Sequence, residues 1–200
     1  MRPNQIWALD FTDVNIGGSA HLLIGVIDHG SRKNFALSFI DKSAGSVLQL
    51  IKSLVAAFGK PKAVRTDNDG AFVSEEFEAG LKSLGNRHQK SDPHAPWQNG
   101  RIERFFGTFK SAIRHIQIDT KAALQQAIDE FRFHYNHIRP HQNLGNRTPE
   151  MAWTAKMRFP KCQELHWFEA WEGVLCGWLY MPVTDTLIEP KPQRLQRQNS

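Results

Sequence analysis

Three β-patterned runs crowd into the first forty residues, at 6–14, 22–28 and 34–40, with only a handful of residues between them. Connections that short, built on Asn15-Ile16-Gly17-Gly18-Ser19 and His29-Gly30-Ser31-Arg32, can reverse a chain but cannot carry a crossover. The runs therefore form an antiparallel meander. From Ser43 the period changes: Val47, Leu50, Ile51, Leu54 and Phe58 recur at helical spacing, and Gly59-Lys60-Pro61 stops the helix. Residues 63–66 then read as a short buried strand reaching Asp67. Ser74 caps a helix with Phe77, Leu81 and Leu84 along one side, Gly85 ends it, and residues 86–90 suit a brief strand. The order βββαβα, with one strand more, predicts an α/β fold.

Residues 91–96 favour an irregular loop and are expected to be mobile. Beyond them Ile102, Phe105, Phe109, Ile113 and Ile116 recur at three and four, a core-facing stripe on a long helix. A second helix is predicted over 121–137, with Leu124, Ala127, Ile128 and Phe131 inward, until Arg139-Pro140 breaks it. Thr148-Pro149-Glu150 opens a short helix, Thr at the cap and Pro at the first helical position. Trp167, Trp171, Trp178 and Tyr180 suggest a small packed element. Residues 189–200, rich in Pro, Gln and Arg, are expected to be disordered. The organisation read from this pattern is a core over 1–155, an extension over 156–188 and a tail over 189–200.

Charge narrows the partners. The formal net charge is +5, and residues 82–114 alone carry seven basic residues against Asp92 and Glu103. Concentrated positive charge suits a surface that tracks phosphates. Cys162 and Cys176 form no CxxC pair, which fits a reducing compartment with both as small buried residues. No apolar run is long enough to span a bilayer, so a cytoplasmic, nucleoid-associated protein is expected.

Three carboxylates carry the chemical argument. Asp10 interrupts an apolar strand, Trp7-Ala8-Leu9-Asp10-Phe11, where an ionised group costs several kcal/mol, roughly, unless hydrogen bonds or a cation compensate. Asp67 follows a short strand, and a carboxylate at such an end faces a crevice; Asp69, deeper in the turn before Gly70, ranks second. Asp13 and Asp28 stand beside turn clusters and are weaker candidates. Glu103 shares a helix face with Gly100, Gly107, Lys110 and Arg114, so a carboxylate sits among cations and glycines where metal and phosphate can approach the backbone. His134, His137 and His141 raise a zinc alternative, but no cysteine pair lies nearby.

Trp7-Ala8-Leu9-Asp10-Phe11-Thr12, Thr66-Asp67-Asn68 and Pro96-Trp97-Gln98-Asn99-Gly100-Arg101-Ile102-Glu103-Arg104 resemble the catalytic core of integrases and transposases with an Asp-Asp-Glu triad. Thirty-five residues separate Asp67 from Glu103, the interval of that family. Tyr135-Asn136, Arg139-Pro140-His141, Leu144 and Thr148-Pro149 resemble its downstream pattern, and the wording around Glu103 is closest to bacterial insertion-sequence transposases. The resemblance covers about residues 4–153. One departure is Asp69-Gly70-Ala71-Phe72, where the family usually has Gly directly after Asp-Asn; it places an extra carboxylate near Asp67.

The resemblance implies an RNase H-like fold: a mixed five-stranded sheet, its first three strands antiparallel, flanked by helices. It implies Asp10, Asp67 and Glu103 as catalytic residues and as ligands of two Mg2+ or Mn2+ ions, Asp10 bridging both. It implies metal-dependent phosphodiester cleavage and strand transfer on mobile-element ends and target DNA, and a homo-oligomer of at least two copies. Lys110 is expected to contact DNA, joined by Arg101, Arg104, Arg114 and Asn99, although Arg101 and Arg104 could instead pack against the sheet. The chain starts at the first strand, so a separately encoded helix-turn-helix protein is an expected partner. The alternatives are a catalytically silent DNA-binding remnant and an RNase H-type nuclease on hybrids.

Overall fold

The computed structural model of the chain describes residues 1–92, 98–154 and 163–182. Two compact units divide it, residues 1–107 and 108–200. The expectations of a mobile loop at 93–96, a buried Cys162 and a disordered tail lie outside the described residues.

The first unit is built on a five-stranded sheet in the order β3-β2-β1-β4-β5. Strands β1 (Ile6–Ile16), β2 (Ser19–Asp28) and β3 (Asn34–Phe39) form the predicted antiparallel meander, while β4 (Ala63–Thr66) and β5 (Arg87–Lys90) add in parallel beyond β1. Gly17 and Gly18, with φ of 54° and 81°, make the two-residue turn between β1 and β2, a geometry that needs positive φ at both positions. At the other turn Asp28 is fully buried: its Oδ1 accepts from the Ser31 N–H at 2.7 Å and the Ser31 hydroxyl at 2.8 Å, and its Oδ2 from the Asn4 N–H at 2.9 Å. It therefore serves the turn, as its position suggests.

One face of the sheet carries an aromatic core. Trp7 lies 4.7 Å from Phe35 between ring centroids, Phe35 lies 4.6 Å from Phe58, and Phe11 stacks on Phe72 at 4.6 Å. These rings tie β1 and β3 to α1 (Ala44–Phe58) and α2 (Gly70–Val73). The Ser43 hydroxyl caps α1 by accepting from the Ser46 N–H, and Gly59, at φ 81°, ends the helix at the predicted stop. Helix α3 (Glu75–Ser83), capped by Ser74, comes so near α1 that a Cβ at Gly80 would lie 2.3 Å from Leu48. The extra helix α2 was not foreseen: it is a single turn started by Asp69, whose Oδ1 accepts from the Ala71 N–H, and one turn leaves no periodicity to read.

The opposite face receives the start of α4 (Gly100–Ile113). Ile102 and Phe106 reach Gly25 on β2, where a Cβ would meet the Phe106 ring at 2.5 Å. Gly25 is thus the gap that lets the helix lie against the strands.

In the second unit the predicted helix is α5 (Lys121–Phe133), continued by a wider π-helical turn (His134–Ile138) that ends at Arg139. Helix α6 (Pro149–Trp153) starts at the Thr148 cap. The Trp-rich stretch, expected as a small packed element, is a hairpin of β6 (Gln163–Ala170) and β7 (Leu175–Pro182) in which Trp171 is buried. One of its faces carries Phe168, 5.4 Å from Phe133, while Trp167 and Trp178 stand about half exposed on the other, 5.0 Å apart. Cys176 shares that outer face opposite Glu169 and is exposed, not buried as expected. No helix among the described residues is long and apolar enough to cross a membrane.

Candidate active site on the first sheet

Asp10 sits on the central strand, half-buried, opposite Gly25 and so on the face that α4 covers. Its Oδ1 accepts from the Phe11 N–H at 2.7 Å. Burial, and then the nearby charges of Asp67, Glu103 and Asp69, push its carboxyl up to about 7 despite that hydrogen bond. Asp67, Glu103 and Asp69 thus all stand near enough to Asp10 to act on it.

The positions follow from the strands and helix beneath them. Asp67 is the first residue after β4, and its Oδ1 accepts from the Asp69 N–H at 3.1 Å, an Asx turn that fixes the carboxylate at the strand end. Among the described residues its Oδ2 takes no hydrogen bond. Glu103 lies in the first turn of α4, exposed, and its side chain has no hydrogen bond or ion pair among the described residues. Asp69 is otherwise engaged: besides capping α2 it holds the Lys42 ammonium, Nζ to Oδ2 2.6 Å, which also lies 5.7 Å from the Phe11 ring centroid. Between Asp67 and Asp69, the structure leaves Asp67 the freer ligand. Lys42 was not among the sequence candidates; a contact made across 27 positions leaves no local signal.

The donor set suits a hard divalent cation: carboxylate oxygens only, gathered near enough to Asp10 to oppose its ionisation. Among the described residues, no three His, Cys, Asp or Glu side chains stand as a ready group for one ion.

The predicted DNA contacts divide. Arg104 on the helix of Glu103 and Arg114 just past its end are exposed, and Lys110 on that helix is half-buried. Arg101 turns inward: its Nη1 donates to the His29 carbonyl at 2.5 Å and lies 3.3 Å from His29 Nδ1. Asn99 is buried; its Oδ1 lies 2.9 Å from the Ser91 hydroxyl and its carbonyl accepts from the Ile102 and Glu103 N–H groups. It fixes the start of α4, and hence the level of Glu103.

The histidines of the zinc alternative are engaged in packing. His134 stacks on Phe168 with its Nε2 3.2 Å from the Cys176 carbonyl, His137 stacks on Phe133, and His141 meets Tyr135 edge-on.

Two family models, each described as an integrase core domain, match residues 1–96 and 84–149. A 39.2 kDa protein of insertion element IS476 from Xanthomonas euvesicatoria is 31% identical over 159 residues, covering 78% of this chain and 46% of that protein. A 31.7 kDa protein of insertion element IS407 from Burkholderia multivorans is 30% identical over 152 residues, covering 74% and 54%. The chain thus spans about half the length of these relatives. Among solved structures, the HTLV-2 integrase catalytic core in complex with magnesium, in a dimeric form, superposes with a TM-score of 0.61 at 21% identity, over 76% of this chain and 98% of that one. The catalytic core of BIV integrase gives 0.60 at 20%, over 76% and 95%. The RNase H-like fold implied by the sequence is the fold observed.

Proposed function

Because the chain belongs to the integrase core domain family, we propose that it cleaves DNA phosphodiesters and transfers strands during transposition, using Asp10, Asp67 and Glu103 as metal-holding catalytic residues. The observation that carries this reading is the Asp10 carboxyl, raised to about 7 by burial and by Asp67, Glu103 and Asp69. A side chain so penalised for ionising is one that a cation relieves. The magnesium complex of the HTLV-2 core supports the choice of metal.

Mg2+ or Mn2+, two per site, would be held by these three carboxylates and would activate a water or 3'-hydroxyl and stabilise the leaving oxygen. The protein's part is positioning. The Phe11 N–H aims Asp10, the Asp69 N–H aims Asp67, and the Asn99 carbonyl sets the first turn that carries Glu103. Lys42 keeps Asp69 engaged beside the site. Arg104 and Lys110 on the helix of Glu103, with Arg114 just past its end, would hold phosphates while the reacting groups align. No covalent protein intermediate is required. Joining two ends calls for at least two copies, and a helix-turn-helix protein would recognise the ends.

The test is strand transfer from an end-bearing duplex in Mn2+, with a DNA–RNA hybrid as competitor. Activity in the wild-type chain, lost in Asp10→Asn and Glu103→Gln while DNA binding persists, is the expected result. Equal activity in wild type and Asp10→Asn overturns the reading, and preferential cutting of the hybrid replaces strand transfer with nuclease action.

A further inference from the structure

On the sheet face that bears Asp10, a cavity of about 610 Å³ opens at the start of the parallel strands. Its floor is Ile6 and Ala63, which lie opposite one another in β1 and β4, and Arg87 continues the row on β5. Arg2, Lys62 and Arg87 surround it, with the Gln5 and Gln89 amides between them, and among the described residues no carboxylate lines it. All three cations are exposed, and none has an ion pair or side-chain hydrogen bond among the described residues. Elsewhere on this unit Lys42 pairs with Asp69 and Lys90 with Glu78, and the 800 Å³ cavity beside α3 mixes Glu75 and Glu78 with Lys82 and Lys90.

Three unpaired cations around one concavity repel one another, an arrangement that an anion with several charges relieves. Ile6 precedes Asp10 by four residues of strand, about 13 Å at the ~3.3 Å per residue of parallel sheet. That is roughly four base pairs of duplex at ~3.4 Å each. We propose that this groove is a second DNA contact: Arg2, Lys62 and Arg87 bind backbone phosphates of the duplex whose scissile bond lies at the carboxylates. Gln5 and Gln89 can donate to the same phosphates, and the apolar floor fits contact with sugar rather than base edges, so the groove adds affinity without sequence preference. The proposal rests on the reading of this chain as acting on DNA.

The test measures binding of a blunt fluorescein-labelled duplex by anisotropy, in chelator, from about 50 to about 200 mM salt. With Arg2→Ala, Lys62→Ala and Arg87→Ala combined, the slope of log affinity against log salt should fall by about 2 to 3, with binding about tenfold weaker at the low-salt end. Lys52→Ala, a lone exposed cation on α1, should leave the slope as it is. Exchanging the three residues Arg for Lys and Lys for Arg should restore it, which separates charge from any effect on folding. A triple variant with the wild-type slope overturns the groove while leaving the DNA reading intact. A wild-type chain that binds no DNA at low salt overturns both.

Discussion

Gly25 should be the position where the smallest substitution does the most damage to the site. A Cβ there would lie 2.5 Å from Phe106 Cε1, 2.7 Å from its Cζ and 3.6 Å from Ile102 Cδ1. Ordinary contact would need the ring to retreat by about 1 Å, and Phe106 is buried in α4 with nowhere to rotate freely. Overpacking of this kind costs about 1–3 kcal/mol. The retreat moves the helix that carries Glu103, and a shift of about 1 Å in a catalytic group costs about a hundredfold in rate. Gly25→Ala should therefore lower stability in urea by about 1–3 kcal/mol and strand transfer by about a hundredfold, with the chain still folded by circular dichroism. Adding Phe106→Leu gives the volume back, so the double variant should recover most of both losses. A Gly25→Ala protein as stable and as active as wild type, or a double variant no better than the sum of its parts, would refute the reasoning.

Three further outcomes follow from the same contacts. His29 is buried and lies beside Arg101, and burial with the nearby Arg101, Arg65 and Arg32 charges lowers its pKa to about 3. The folded protein keeps it neutral, so its contribution is intact above the unfolded value of about 6.5 and is lost as pH falls toward 3, by at most about 1.4 kcal/mol per unit; His29→Gln should flatten urea stability between pH 6 and 4. Asp10 has the opposite sign: its raised pKa means the metal-free protein loses stability as pH climbs toward 7, so Asp10→Asn in chelator should be more stable than wild type at pH 8 by about 1–3 kcal/mol and no more stable near pH 4. Trp171, at φ 55° in the hairpin turn, donates its indole N–H to buried Glu130 Oε2 at 2.5 Å; Trp171→Phe should cost about 2–3 kcal/mol in denaturation by stranding that carboxylate.

Much of the first unit was legible because its signals are local. The Gly17-Gly18 turn, the Ser74 cap, the Gly59 stop and the four residues of β4 each announce themselves within a short window. The carboxylate positions were legible too, Asp10 through its apolar flanks and Glu103 through its helix face. What escaped depends on partners distant in sequence. The Lys42 pair with Asp69 has no local pattern; the inward packing of Arg101 was one of the two expected readings, but its partner, the His29 carbonyl, was not foreseen. The open face of the hairpin escaped because aromatic content gives hydrophobicity but not which side of a two-stranded sheet is covered; Phe168 is drawn to Phe133, leaving Trp167, Trp178 and Cys176 outside. The π-helical turn after Phe133 widens a helix without altering its apolar spacing.

The most direct measurement of the central claim is anomalous scattering from Mn2+ in crystals of the wild-type chain. The account predicts manganese peaks within bonding distance of the Asp10 and Asp67 carboxylates, with Glu103 drawn in as a ligand. Saturating Mn2+ with no peak at these three residues, or with peaks held by other side chains, would contradict it.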